Sequence, residues 1–275
     1  MAYALVTGAA KGIGRSIARE LAARNYHLLL IDIAEVELER NAHQIRTQYG
    51  VAVHTLIVDL SLPGVVRTIT AWQREKGPEL EVVVNNAGFG LNGPFLEIPI
   101  QEQMDILNVN VKALVELSYV FVPVLARRPV GYLLNVCSTT AYQTVPYVTM
   151  YAASKAFVRS FTRGLRHELR HSNVRVTMLS PGSTDTDFVN RARMGDSIKR
   201  TAARVNMTAE EVAQTAVKSL FKGKAEVIPG FLNQFGAFLP RIIPMKWIEH
   251  FAGRIYEPRV SGQGPTAEKK VLAST

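Results

Sequence analysis

The chain carries one cysteine, Cys137, and two tryptophans in 275 residues. A lone thiol excludes an intramolecular disulfide framework and suits a reducing compartment, so a cytoplasmic location is expected. Cys137 sits in an apolar run and reads as a small buried hydrophobe, not a reactive thiol. No uninterrupted apolar stretch reaches the roughly 18 residues a membrane span needs. The first residues already read as a strand, so a cleaved leader is not expected. Internal repeats, long linkers and nucleic-acid-binding motifs are missing as well, and neither nucleic acid nor a metal is expected as a partner. A composition of 47% hydrophobic and 20% charged residues then supports one globular unit with a large core.

Acidic residues are scarce at one end. Residues 191–275 hold 14 Lys/Arg against 7 Asp/Glu, whereas residues 1–190 are nearly balanced at 18 against 16. A basic C-terminal third reads as a solvated face, or as an attraction for acidic substrates such as acyl-CoA or for an anionic membrane.

Apolar runs rich in Val, Leu and Ile predict strands at 3–7, 27–33, 52–58, 81–85, 131–137 and 174–179, with a further one at 225–228. Helical periodicity falls between them, at 13–24, 35–49, 63–76, 101–126 and 150–171. Strands apolar along their whole length, such as Leu28–Ile31 and Val82–Val84, are covered on both faces. The alternation predicts a doubly wound, mostly parallel sheet of seven strands with right-handed crossovers. Thr208-Ala209-Glu210-Glu211 is a capping box that opens another helix, to about Lys222.

The first strand runs into Thr7-Gly8-Ala9-Ala10-Lys11-Gly12-Ile13-Gly14 and then a helix. Strand, glycine turn and helix N-terminus form the setting in which a dinucleotide pyrophosphate binds. Gly8 allows the tight turn, Gly12 lets phosphate approach the backbone, and Gly14 lets helix pack on strand. Far along the chain stand Ser138, Tyr151 and Lys155. A phenol with a pKa of about 10 is a poor acid or base at neutral pH. An ammonium at i+4 is expected to favour the phenolate and lower that value. A nearby hydroxyl would polarise a carbonyl oxygen, giving proton transfer at a carbon–oxygen centre.

Seven collinear elements carry a resemblance: Thr7-Gly8-x-x-x-Gly12-Ile13-Gly14, Asp59, Asn85-Asn86-Ala87-Gly88, Asn110, Ser138, Tyr151-x-x-x-Lys155 and Pro181-Gly182-x-x-x-Thr186. Over residues 1 to about 190 the chain resembles the short-chain dehydrogenase/reductase family. The resemblance implies a single-domain Rossmann fold and an NAD(P)-dependent exchange between a secondary alcohol and a ketone. It makes Asn110, Ser138, Tyr151 and Lys155 catalytic, with Asn110 holding a water in a proton relay. It places the cofactor on Gly8, Lys11, Gly12, Ile13, Gly14, Asp32, Asp59, Leu60, Asn86, Ala87 and Gly88, and on Tyr151, Lys155, Pro181, Gly182, Thr184 and Thr186. Asp32, ending the second strand, favours NAD because its carboxylate repels a 2′-phosphate. Lys11 points toward NADP, and Asp32 is weighted above it. Asp59 reads either as an adenine contact or as a helix cap.

Apolar and aromatic loops imply a lipophilic substrate, walled by Phe89–Leu91, by Thr139–Met150 with Tyr142 and Val145, and by a lid at 183–205 with Phe188 and Met194. The domain is expected to span 1–257, its extension at 229–257 departing from the family, and a flexible tail to follow at 258–275. Residues 231–256 interleave apolar side chains with Arg241, Lys246 and Arg254, and would lie over the chain's own pocket or on a membrane. Pairing through 101–126 and 150–171 implies a homodimer or homotetramer. Two alternatives stay open: a membrane-associated lipid or 3-oxoacyl reductase using NADPH, and a non-catalytic dinucleotide sensor. A sensor would keep the glycine turn and lose Ser138, Tyr151 or Lys155.

Overall fold

The computed structural model describes residues 1–185, 192 and 207–258. Seven strands form one sheet: β1 (Tyr3–Thr7), β2 (His27–Asp32), β3 (Val53–Ile57), β4 (Leu80–Asn85), β5 (Gly131–Val136), β6 (Val174–Leu179) and β9 (Glu226–Val227). Their order is β3-β2-β1-β4-β5-β6-β9, and every pairing is parallel. The chain leaves β1 toward β2 on one side and later returns to β4 on the other. The crevice at the carboxyl ends of β1 and β4 is therefore the switch point where open α/β sheets bind ligands.

Both faces of the sheet are covered, as the unbroken apolar strands require. One face packs on α1 (Gly12–Ala22), α2 (Glu35–Tyr49) and α7 (Ala209–Phe221), through Ile17, Leu21, Leu38, Val217 and Leu220. The other meets α3 (Val65–Lys76) and α5 (Leu114–Leu125), through Ile69, Leu117, Phe121 and Leu125. Burying each such Leu, Ile or Phe contributes about 1.5–3 kcal/mol. The capping box on α7 is present in both directions between Thr208 and Glu211.

The helix expected at 101–126 is built differently. It starts as α4 (Ile100–Leu107), widens into a π-helical turn at Asn108–Ala113, and continues as α5. By length and mean hydropathy (1.3), Ile100–Leu125 is also long and apolar enough to cross a membrane, a property that counting only uninterrupted apolar runs had missed. In the fold it supplies core side chains to the sheet. A two-stranded parallel pairing of β7 (Thr184–Asp185) with β8 (Met207–Thr208) was not expected. The 229–257 extension forms α8 (Phe231–Phe238), a short 3₁₀ turn (Leu239–Arg241) and α9 (Met245–Tyr256). Thr186, Phe188, Met194 and most of the expected lid and tail lie outside the described residues.

Candidate active site

The glycine turn is shaped as a cradle. Gly8 and Gly12 have φ of +66° and +53°, the left-handed region open to glycine. A Cβ on Gly14 would lie 2.1 Å from the Gly8 carbonyl oxygen, so the turn closes only without one. Helix α1 starts with no side-chain cap and no acidic residue in its first turn, which leaves its N-terminal amides for an anion. Asn86 locks the cradle to β4: its Nδ2 donates to the carbonyls of Thr7 and Gly8, at 2.9 and 3.0 Å. Thr7 Oγ1 in turn accepts from the amides of Asn86 and Ala87.

Asp32 ends β2 at the rim. Its Oδ2 accepts from Ala10 N at 2.9 Å and its Oδ1 from the amides of Ile33 and Ala34. The carboxylate therefore pins the glycine turn as well as facing the cavity. Lys11 pairs with Glu37 at 3.0 Å, and this ammonium holds the Glu37 carboxyl below its usual range. Lys11, at the cavity wall, is thus paired with a carboxylate. Asp59 Oδ1 accepts from Ser61 N at 2.8 Å, closing a local turn. It does not cap α3, which starts six residues on, after Gly64.

Ser138, just past β5, accepts from Thr140 N through Oγ and opens a 3₁₀ turn. Its side chain hydrogen-bonds that of Tyr151 on α6 (Thr149–Glu168). One turn further, Lys155 is buried, its Nζ donating to Val136 O at 2.9 Å and lying 5.8 Å from the Tyr151 ring centroid. The three expected groups therefore do meet beside the cradle. Gly88 brings the β4 loop against them: a Cβ there would lie 3.2 Å from Lys155 Nζ and 3.0 Å from Asn110 Oδ1.

Charge states differ from the sequence expectation. Burial raises the Tyr151 pKa well above its ordinary value, although the Ser138 hydrogen bond opposes the shift. Burial also lowers Lys155, to about 8. Desolvation is the largest cause of both shifts, because both groups are withdrawn from water together. Burial thus favours the protonated phenol. Cys137 is likewise pushed up by burial and donates to Lys155 O, matching the inert reading.

Asn110 is fully buried in the π turn. Its Oδ1 accepts from Phe89 N, and its Nδ2 donates to Phe89 O and Ser154 Oγ. Both amide hydrogens are thus used within the protein. The side chain thereby holds residues 88–90 over the site. Ser154, missed from sequence, links Asn110 to α6 by also donating to Tyr151 O. Its position one residue before Lys155 was the available signal.

One continuous cavity of about 1400 Å³ joins cradle and triad. Every expected cofactor residue among those described lines it, including Ile13, Leu60, Ala87, Pro181, Gly182 and Thr184. Tyr142 does not: its hydroxyl bonds Ser180 and Glu226, away from the pocket. Val145 is buried in a small cluster under the loop rather than in the cavity wall. The far wall instead comes from the C-terminal extension, with Ile243, Ile248, Phe251, Ile255 and Tyr256. Helix α8 sits on the 181–182 turn, where a Cβ on Gly182 would lie 2.1 Å from Asn233 Oδ1. Asn92 Nδ2 ties α9 down by donating to Tyr256 O at 2.9 Å. The extension covers its own pocket, one of the two placements expected.

A glycine cradle at the sheet's switch point, opening onto a buried Ser–Tyr–Lys cluster, defines a dinucleotide-dependent oxidoreductase. The model of the short chain dehydrogenase family matches residues 2–197, and the chain belongs to that family. It is 30% identical over 256 residues to the rat (Rattus norvegicus) very-long-chain 3-oxoacyl-CoA reductase, covering 90% of this chain and 79% of that protein. A short-chain dehydrogenase from Sphingobium yanoikuyae, solved with NADPH, superposes with a TM-score of 0.77 at 26% identity, covering 89% and 97% of the two chains. One from Burkholderia phymatum, solved with NAD, shares the fold at a TM-score of 0.79 and 23% identity, covering 86% and 92%. The chain is an oxidoreductase acting on CH–OH groups with NAD(P).

Proposed function

We propose that the chain interconverts a lipophilic ketone and its secondary alcohol, with Tyr151 as the general acid in the reducing direction. The observation that carries this is the Ser138–Tyr151 hydroxyl pair, buried over Lys155 at the mouth of the cradle. The cofactor, when bound, supplies or accepts a hydride. Gly8, Gly12, Gly14 and the first amides of α1 would hold its phosphates, and Asp32 its adenosine ribose. Thr184, with Pro181 and Gly182, would seat its nicotinamide end, and Thr186 is proposed beside them. Ser138 orients the substrate oxygen while Tyr151 moves a proton to it. Lys155 sets the electrostatics beneath, and Asn110 fixes the loop that covers it.

Burial favours the protonated Tyr151 phenol, the form that donates its proton in the reducing half. Lys155 carries its charge below about 8 and loses it above. For ketone reduction, kcat/KM should therefore stay level through neutral pH and fall as pH rises past about 8. A steady-state pH profile checks this, and a profile that climbs through that pH would contradict it.

NAD is the preferred cofactor, on the Asp32 carboxylate and the Lys11–Glu37 pair. Asp32→Ala should lower kcat/KM for NAD by roughly tenfold or more and shift preference toward NADP. Initial rates with both oxidised cofactors test it. An unchanged ratio would assign Asp32 only the loop-pinning role.

A second reading, reduction of a 3-oxoacyl thioester, is favoured by the apolar wall from α9 and by the acyl-CoA reductase relative. Parallel assays with a simple lipophilic ketone and a 3-oxoacyl-CoA separate the two. Tyr119 (83% exposed), Phe157 and Met104 leave an apolar face on α4, α5 and α6, through which we place a homodimer in the cytoplasm. Light scattering tests that pairing.

A further inference from the structure

The C-terminal extension has two sides. Inward, Ile248, Ala252 and Tyr256 of α9 close the cavity. Outward, it exposes a run of large apolar side chains: Phe231 (80%), Leu232, Phe235, Ile242, Trp247 (58%) and Phe251. The pattern on α9 is ordered. Trp247, Phe251 and Ile255 recur at i, i+4, i+8 and make one exposed apolar row. Lys246, His250 and Arg254 recur at the same spacing and make a basic row along its flank. Glu249, the acidic residue of α9, lies on the side opposite the apolar row, next to Lys246 at i+3. On α8, Phe231 and Phe235 repeat at i, i+4.

An apolar row edged by cations is the geometry of a helix lying in a membrane interface, where Trp and Phe enter the acyl boundary and Lys and Arg meet anionic headgroups. The chain's other exposed apolar face, on α4, α5 and α6, is the one assigned to self-association.

We infer that α8 and α9 dock the protein on an anionic lipid bilayer, so that a lipophilic substrate enters the cavity directly from the membrane. Phe251 and Ile255 support the second half, because they are exposed on the outer row and also line the cavity. Substrate passing between α9 and the segment of Leu239 and Ile243, which also line the cavity, would move from acyl chains to the Ser138–Tyr151 pair without crossing water. The inference rests on the proposed lipophilic substrate for its purpose, but the docking itself does not depend on catalysis.

The test is flotation of the full chain with two kinds of vesicle, phosphatidylcholine alone and phosphatidylcholine with phosphatidylserine. The protein should float with the anionic vesicles and stay behind with the neutral ones. Lys246→Gln/Arg254→Gln should weaken binding by roughly thirtyfold, about fivefold per charge removed. Phe235→Ser/Trp247→Ser should abolish flotation while activity on a water-soluble ketone, measured without lipid, is kept. That activity separates the two claims: binding without activity removes only the oxidoreductase reading. Equal binding to both vesicles, or none to either, overturns the docking. So does an apolar variant that changes oligomeric state in solution and leaves flotation untouched, since the face would then join two copies.

Discussion

Tyr151→Phe lowers kcat by about 10²–10⁴-fold and leaves cofactor affinity within about twofold, the loss expected for removing a general acid. The variant keeps the ring, and the ring is what the fold uses. Gly90 packs directly on it, since a Cβ there would lie 2.8 Å from the Tyr151 ring. The lost hydroxyl had Ser138 as its partner, and Ser138 Oγ retains the amide of Thr140. Cofactor titration by fluorescence should therefore be nearly superimposable on the parent's. Steady-state rates with a reactive ketone give the other half of the comparison. A variant with near-parent turnover would remove Tyr151 from the chemistry. A variant that no longer binds cofactor would make it structural.

The second large effect is on the cradle. Gly14→Ala places a Cβ 2.1 Å from the Gly8 carbonyl oxygen and 2.4 Å from Asn86 Nδ2. The first neighbour is backbone and cannot swing aside. The second is the amide that ties β4 to the turn, so relief in that direction breaks two hydrogen bonds. A loss of about 1–3 kcal/mol in stability is expected from overpacking. Cofactor binding should fall further, because the turn must open to accept the methyl group. Gly164→Ala is the control. It lies in the interior of α6, where an added Cβ meets no atom within 4 Å, and it should stabilise by about 0.4–1 kcal/mol. Thermal denaturation of both variants checks the contrast. Equal melting temperatures would show that the turn has slack the geometry denies.

Much of the site was legible because its residues carry local signatures. Gly8, Gly12 and Gly14 announce a backbone that side chains would block, and Tyr151 and Lys155 share a helix face at i, i+4. Asp32 ends a strand whose apolar run is plain. The phenol's charge state was not legible. Proximity of Lys155 is a property of spacing, whereas desolvation depends on how deeply α6, the β4 loop and the C-terminal helices bury the pair. Those three segments come from distant parts of the chain. The side-chain partners of Asn110 were not legible for a related reason. The sequence marks it as a poor helix residue, but only the fold brings Phe89 and Ser154 to its amide. Tyr142 shows the limit for loops: its partner Glu226 is 84 residues away, on the edge strand. The extension's double role also needed the fold, because the inner and outer rows of α9 interleave in sequence.

The account turns on proton delivery from the Tyr151 hydroxyl to a carbonyl oxygen beside bound cofactor. Its most direct measurement is the loss of reduced-nicotinamide absorbance on adding lipophilic ketones to the protein and NADH deuterated at C4. Ketone-dependent oxidation is predicted, with deuterium appearing on the carbinol carbon of the product and slowed sharply in Tyr151→Phe. Tight cofactor binding with no ketone-dependent oxidation across such a panel would contradict it and leave a dinucleotide-binding protein without this chemistry.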